Sequence, residues 1–374
     1  MTAPALGTYR AHVREFIRTD FLPHQARWRE QQHPGADAWA AAGAAGLLLA
    51  DVPKEYGGGG GTFAHTAVVV EELAAAGVPF ASFIQNVVGQ YILTFGREEQ
   101  KRRWLPPLAR GELIAAIAMS EPATGSDLQG ITTTARREGD QYVINGAKTF
   151  ITSGWQAGLV CLVAKTDPAA AGFKGISLIM VETESLPGYR AGCPLEKVGL
   201  HGQDTCELFF DDVRVPTANL LGPVEGRGFL QAMDIMNYER LAIASAAVAT
   251  AEAAVALTTA YVRERKAFGK PLMDFQHARF QLADCRTDAR IGRVFLDDCI
   301  ARYLAGERND VTIAMAKSWL TDCECRIVDA CVQLHGGNGY MAQYPIARMW
   351  TDSRVHRIYA GANEVLKELI ASSL

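Results

Sequence analysis

Glu239 and Arg240 stand side by side in the longest helix-forming stretch of the chain. A carboxylate carried into a dry pocket has its pKa raised toward neutrality and can remove a weakly acidic proton; on a solvated helix face the same two residues are only an ion pair. The run Ser120-Glu-Pro-Ala-Thr-Gly-Ser126-Asp127 gathers hydroxyls and small residues able to meet a polar ligand, although Ser126 equally suits the cap of a helix beginning near Asp127. Arg265 can fork onto phosphate oxygens or lie in solvent. Gly336-Gly337 can let backbone N–H groups approach an anion or simply close a helix. Motifs with a fixed mechanism are absent. There is no GxSxG elbow, no HExxH pair and no phosphate loop, since Gly269-Lys270 is followed by Pro271. The Gly57–Gly61 run has no strand leading into it and reads as a surface turn, so a Rossmann-type nucleotide site is not expected.

These groups must be held by a sizeable fold. The chain has 374 residues, 49% of them apolar and 21% charged, which suits two or three globular domains. A net charge of −4 argues against a nucleic-acid binder working through bulk positive charge. No apolar run reaches the roughly 18 residues of a spanning helix, and the first ten residues lack the pattern of a signal peptide, so a cytoplasmic protein without membrane insertion is expected. Eight scattered cysteines match no metal-binding spacing and read as buried reduced thiols; no metal site is expected.

Three zones follow one another. Residues 1–115 have helical periodicity, for instance over Ala38–Leu49 and Ala67–Ala76, punctuated by Gly57–Gly61 and Pro106-Pro107. Residues 116–222 turn to strand. A hairpin is predicted with Asn145-Gly146 as its turn, followed by strands over 159–165, 176–182 and 207–213, which suits a small β-barrel or sandwich. Residues 223–374 return to helix over about 229–264, 275–305, 311–335 and 363–373. The pocket floor is expected on the helix around Ile84–Leu93, where Gln85, Asn86 and Gly89 mix polar and small groups.

Six collinear stretches carry a family resemblance. They are Ile117-Ala-Met-Ser-Glu-Pro-Ala-Thr-Gly-Ser-Asp127, Gly146-Ala-Lys-Thr-Phe-Ile-Thr-Ser-Gly154, the segment from Val198 to Pro216, Glu264-Arg-Lys-Ala-Phe-Gly-Lys-Pro-Leu272, Gln333-Leu-His-Gly-Gly-Asn-Gly-Tyr340 and Arg357-Ile-Tyr-Ala-Gly-Ala-Asn-Glu364. Together they resemble the acyl-CoA dehydrogenase family along nearly the whole chain. The resemblance implies an N-terminal all-α domain, a middle β domain and a C-terminal four-helix bundle, in a homotetramer. It also implies FAD as cofactor, an acyl-CoA thioester as substrate and an electron-transfer flavoprotein as acceptor. On its pattern Ile117, Met119, Ser120, Ser126, Phe150, Ile151 and Thr152 would meet the flavin ring through backbone and hydroxyl groups, and Ser126 would also lie near the thioester. Arg265, Phe268, Gln276, Gln333, Leu334, Gly336 and Gly337 would meet the pyrophosphate and adenosine end, partly across a subunit boundary. Ala362 and Glu364 would complete the cofactor site. Ala123-Thr124 and Phe150 depart from the family's usual Gly-Ala and Trp, and Phe150 keeps the aromatic wall.

One departure bears on the chemistry. Many members carry the catalytic base in the tail as Ile-Tyr-Glu-Gly, whereas this chain has Ala360 there. The long-chain branch, to which the tail is also similar, places its base on the long C-terminal helix in a Glu-Arg-Leu pattern, matched here by Asn237-Tyr-Glu239-Arg240-Leu241. Glu239 is therefore the expected base for removing a proton beside a thioester carbonyl, with Asn237, Tyr238, Arg240, Ala360 and Gly361 toward the substrate. The backbone N–H of Ala360, which needs no side chain, would help hold the carbonyl. A carrier-protein-bound acyl group, an oxidase and a flavin-binding protein without catalysis stand as alternatives.

Overall fold

The computed structural model describes residues 3–307 and 309–374. Six helices open the chain: α1 (Ala3–Phe16), α2 (Gln25–Gln31), α3 (Ala36–Ala44), α4 (Phe63–Ala75), α5 (Ser82–Phe95) and α6 (Glu98–Ala109). Between α1 and α2 the chain tightens through a π-turn at Ile17–Phe21, where buried Ile17 and Phe21 stay on the core side. Two sequence expectations fail here. Helix α3 stops at Ala44, and Leu47–Leu49 follow as a fully buried connection. Pro106 and Pro107 lie inside α6, in its last turn, where their missing N–H groups leave the carbonyls of Arg102 and Arg103 without their usual helical donors.

The middle region holds β1 (Ala115–Ala118), β2 (Thr134–Glu138), β3 (Gln141–Thr152), β4 (Leu159–Lys165), β5 (Ile176–Glu182), β6 (Tyr189–Ala191) and β7 (Thr205–Pro216). They form one curled seven-stranded sheet in the order β1-β4-β2-β3-β7-β6, with β5 on β4. Strand β4 is buried on both faces. Leu159, Cys161 and Val163 join the core shared with the helices, while Val160, Leu162 and Ala164 fill the core of the sheet itself. The expected Asn145-Gly146 hairpin is not formed. Strand β3 runs straight through these residues, and the hairpin turn is Gly139-Asp140, after the Glu138–Gln141 pair. Gly146 sits at a bulge with φ +150, where a Cβ would fall 2.4 Å from Thr133 Oγ1. Asn145 is committed sideways, exchanging hydrogen bonds with Asp212 at 2.9 Å.

The C-terminal region contains α7 (Gly228–Glu264), a two-stranded ribbon of β8 (Lys266–Ala267) and β9 (Lys270–Pro271), then α8 (Gln276–Leu304), α9 (Asp310–His335), α10 (Pro345–Ser353) and α11 (Asn363–Ala371). The 37 residues of α7 make a rod about 55 Å long. Contrary to the sequence expectation, α7 is long and apolar enough to cross a membrane, but 72% of its apolar window is buried within the protein, as for a core helix. Its first half packs with the N-terminal helices and its second half with α8 and α9. Half-buried Arg293 of α8 braces this arrangement, 2.6 Å from Glu71 of α4 and 2.8 Å from Glu252 of α7. Six of the eight free cysteines are buried; Cys193 is exposed and Cys325 half-buried.

Candidate active site

Helix α7 carries Glu239 into the junction of all three regions. Glu239 keeps some accessible surface, and burial among protein atoms pushes its carboxyl up to about 7 despite the nearby positive charges of Arg240 and Lys317. Tyr91 of α5 lies close by. It is fully buried, its hydroxyl has no hydrogen-bond partner, and burial followed by the charge of Glu239 raises its phenol well above the ordinary range. Successive helical residues point about 100° apart, so the neighbours of Glu239 diverge. Tyr238, expected on the substrate side, is turned into the core. Its hydroxyl is 3.2 Å from Thr66 Oγ1 and its ring meets Phe63 edge-on. Asn237 donates over 2.6 Å to Asp310 at the start of α9.

The tail turn closes over this helix face. Ala360 has φ +55, a left-handed conformation that a residue with a Cβ holds only under constraint from its surroundings. The constraint comes from beneath. Fully buried Lys317 of α9 donates 2.8 Å to Gly361 O and 3.1 Å to Asn363 Oδ1, and the Asn363 amide reaches Ser318 O and Thr321 Oγ1. Arg240, itself buried, passes within 3.7 Å of where a Gly361 Cβ would stand. Burial, followed by the Arg240 charge, lowers the Lys317 ammonium to about 8. Ala362 caps α11, and Glu364 in its first turn is exposed. Lys317, Asn363 and Tyr91 carry no sequence signal, because a lysine or asparagine in a polar-looking segment reads as solvated.

A second wall is built by β1 and β3. Lys148 is fully buried and donates 2.9 Å to both Glu121 Oε1 and Met119 O. Burial opposes charge on Glu121, but hydrogen bonds from Thr133, Lys148 and Thr132 prevail and hold its carboxyl down at about 2. This pair, with Thr149 N donating to Ser120 O at 3.0 Å, ties the segment after β1 to the end of β3. The expected flavin-ring residues Ile117, Met119, Ser120, Phe150, Ile151 and Thr152 are thus brought together. Pairing with β7 skips between Lys148 and Ile151, Phe150 stands there at φ +58, and its ring is 71% exposed. The Ile151 side chain is buried in the sheet core, so only its backbone is offered. Ser126 is exposed in the loop, where Asp127 rather than Ser126 caps the short turn Leu128–Gly130. An exposed aromatic face beside unpaired strand backbone fits a flat heteroaromatic ring.

The remaining expected cofactor residues lie elsewhere. Arg265 follows α7, 26 residues and about 39 Å along the helix from Glu239. Around it are Phe268, 96% exposed at the tip of the β8–β9 ribbon, and exposed Gln276 at the start of α8. Gln333 and Leu334 end α9, and Gly336-Gly337 follow with open space at both Cβ positions.

One helical turn along α7 from Glu239, a cleft runs between α4, α5, α7 and α10. Ile243, Ala246 and Thr250 line it from the same face of α7, with Val70, Leu73 and Phe83 opposite. The expected floor residues are not in it. Gln85 is bound to Leu108 O, Leu113 O and Ala115 N, and Asn86 to Leu49 N, so both are structural.

The chain matches the acyl-CoA dehydrogenase N-terminal domain over residues 6–112, the middle domain over 116–213 and the C-terminal domain over 226–374. It belongs to the acyl-CoA dehydrogenase family, FAD flavoproteins that dehydrogenate acyl-CoA thioesters, and it is an oxidoreductase of that class. It is 41% identical to the mitochondrial long-chain specific acyl-CoA dehydrogenase of Sus scrofa over 369 residues, covering 98% of this chain and 85% of that protein. It superposes on an acyl-CoA dehydrogenase from Geobacillus kaustophilus with a TM-score of 0.97 at 44% identity, covering 100% and 98% of the two chains. The prolyl acyl carrier protein oxidase AnaB is similar at 27% identity with a TM-score of 0.92, covering 100% and 99%.

Proposed function

We propose that Glu239 is the base of this dehydrogenase, taking the α proton of an acyl thioester whose chain lies in the cleft below it. The observation that carries this reading is the position of Glu239. It stands one helical turn before Ile243 of the cleft lining, beside the strained Ala360 turn, and burial holds it near neutral pKa. The carboxylate collects the proton at an oxygen. The backbone N–H of Ala360 is placed by the Lys317 and Asn363 clamp to meet the thioester carbonyl, where charge develops as the proton leaves. Phe150, Thr152 and the backbone after β1 hold the ring of FAD, which when bound supplies a hydride acceptor for the β carbon. Tyr91, Tyr359 and Phe83 exclude water from the reacting end.

The 39 Å separation of Arg265 from Glu239 supports a FAD site completed by a second copy of the chain, as in a homotetramer. Similarity to the long-chain enzyme favours a medium-to-long or branched acyl chain, with an electron-transfer flavoprotein as acceptor. The test is anaerobic bleaching of the yellow holoenzyme by a panel of acyl-CoA and acyl-carrier thioesters. Bleaching that grows with chain length toward the long-chain CoA esters is expected. Bleaching by carrier-bound thioesters alone would assign the substrate to a carrier protein, and no bleaching by any thioester would remove the catalytic reading.

A further inference from the structure

The turn at Ala360 is gripped on both sides by one face of α9. Lys317, Thr321 and Glu324 stand at i, i+4 and i+7 of that helix, so they share a face, and all three are fully buried. Lys317 and Thr321 hold the chain that follows Ala360. Lys317 donates to Gly361 O and Asn363 Oδ1, and Thr321 Oγ1 accepts from the Asn363 amide at 3.0 Å. Glu324, about 10 Å along the helix from Lys317, holds the chain that precedes Ala360. Its Oε2 accepts the Nδ1–H of buried His356 at 2.8 Å. The His356 ring in turn stacks on Tyr359, with centroids 5.7 Å apart and planes at 19°. Tyr359 is also met edge-on by Phe83 of α5 at 6.0 Å.

The side of the turn that Glu324 holds is the one that aims the Ala360 N–H. That N–H lies in the planar peptide unit joining Tyr359 to Ala360, so its direction follows Tyr359 and not the residues after the turn. The left-handed Ala360, at φ +55, persists only where its surroundings fix it, and the Lys317 and Asn363 contacts fix its far side alone. Glu324 makes no other hydrogen bond, since its Oε1 is buried without a partner. A carboxylate taken out of water to hold one imidazole adds little to stability, which suits a pair kept for placement. We propose that Glu324 and His356 are positioning residues for the dehydrogenation, fixing Tyr359 and through it the direction of the Ala360 N–H. This rests on the reading of that N–H as the donor to the thioester carbonyl.

The experiment follows anaerobic flavin reduction by an acyl-CoA that bleaches the wild-type holoenzyme, as a limiting rate and a half-saturating concentration. Glu324→Leu combined with His356→Phe removes both polar groups together and keeps a ring against Tyr359, so no buried charge is left unpaired and FAD content should match wild type. The limiting rate is expected to fall about tenfold to a hundredfold, with half-saturation changed less than about threefold, because the donor is misdirected where charge develops. Glu324→Gln keeps an acceptor for the Nδ1–H and should stay within about twofold of wild type. A second readout needs no turnover. The infrared C=O stretch of an acyl-CoA carrying carbon-13 at the thioester carbonyl, bound to Glu239→Gln holoenzyme, should move down on binding, and most of that shift should vanish when the leucine and phenylalanine substitutions are added. A shift or a limiting rate left intact by the double substitution, or a tenfold loss in Glu324→Gln, would overturn the pair's role while leaving the dehydrogenase reading in place. No shift with the pair intact would overturn the reading of the Ala360 N–H itself.

Discussion

Lys317 and Gly361 meet 2.8 Å apart, ammonium to carbonyl, beneath a turn whose Ala360 is held in a left-handed conformation. That contact joins α9 to the tail and sets a positive charge near Glu239, so one residue shapes the turn proposed to meet the carbonyl and biases the proposed base. Lys317→Met should slow flavin reduction and move the acid limb of its pH profile upward by roughly one unit, since Glu239 loses a positive neighbour. Arg240, Tyr91 and Tyr359, the other groups around Glu239, stay in place. Lys317→Arg should keep the limb where it is. Stopped-flow reduction across pH reads both, and an unmoved limb in the methionine variant would separate Lys317 from the base.

The raised carboxyl of Glu239 also predicts a stability signature. Its folded pKa of about 7 lies above the 4.5 of an ordinary glutamate, so the folded state binds the extra proton between these values. Stability therefore falls as pH rises from about 4.5 through 7, and the full penalty, up to about 3 kcal/mol, is present above 7. Glu239→Gln removes it. Thermal unfolding of the variant should exceed wild type at pH 8 (roughly one unit above that pKa) and converge with it near pH 4.5; a constant offset at both would contradict the shift.

Lys148 and Glu121 are a buried pair that ties the segment after β1 to β3, the two halves of the proposed flavin wall. Lys148→Met leaves the Glu121 carboxylate uncompensated and should cost about 3–5 kcal/mol. FAD content after dialysis should fall with it. Urea denaturation and flavin absorbance are the readouts, and full FAD retention would show that the wall stands without the pair.

Arg265→Ala tests whether a second copy completes the cofactor site. FAD affinity is expected to drop about tenfold or more with secondary structure unchanged, since a bidentate contact to a phosphate is lost. Mixing this variant with a Phe150→Ala variant and reassembling the subunits should restore sites in which both residues are intact. Absence of any restoration would place the two groups in separate sites.

Much of this was legible in the residues. The three zones, the long helix and the strands over 159–165 and 176–182 follow from periodicity, because each buries apolar surface in a pattern its own sequence carries. Asn145-Gly146 misled because a bulge and a turn ask for the same glycine, and only pairing with β7 distinguishes them. Tyr238 misled because adjacency in sequence is divergence on a helix. Lys148, Glu121 and Lys317 were invisible for a different reason. A buried charge is recognised by its partner, and each partner lies 27 or more residues away.

The most direct test of the account is anaerobic reduction of Glu239→Gln holoenzyme by a long-chain acyl-CoA that bleaches the wild type. The variant is predicted to stay yellow, to bind the thioester, and to lose reduction by three or more orders of magnitude, on the order of 4 kcal/mol of transition-state stabilisation. Bleaching at close to the wild-type rate would show that another group takes the proton.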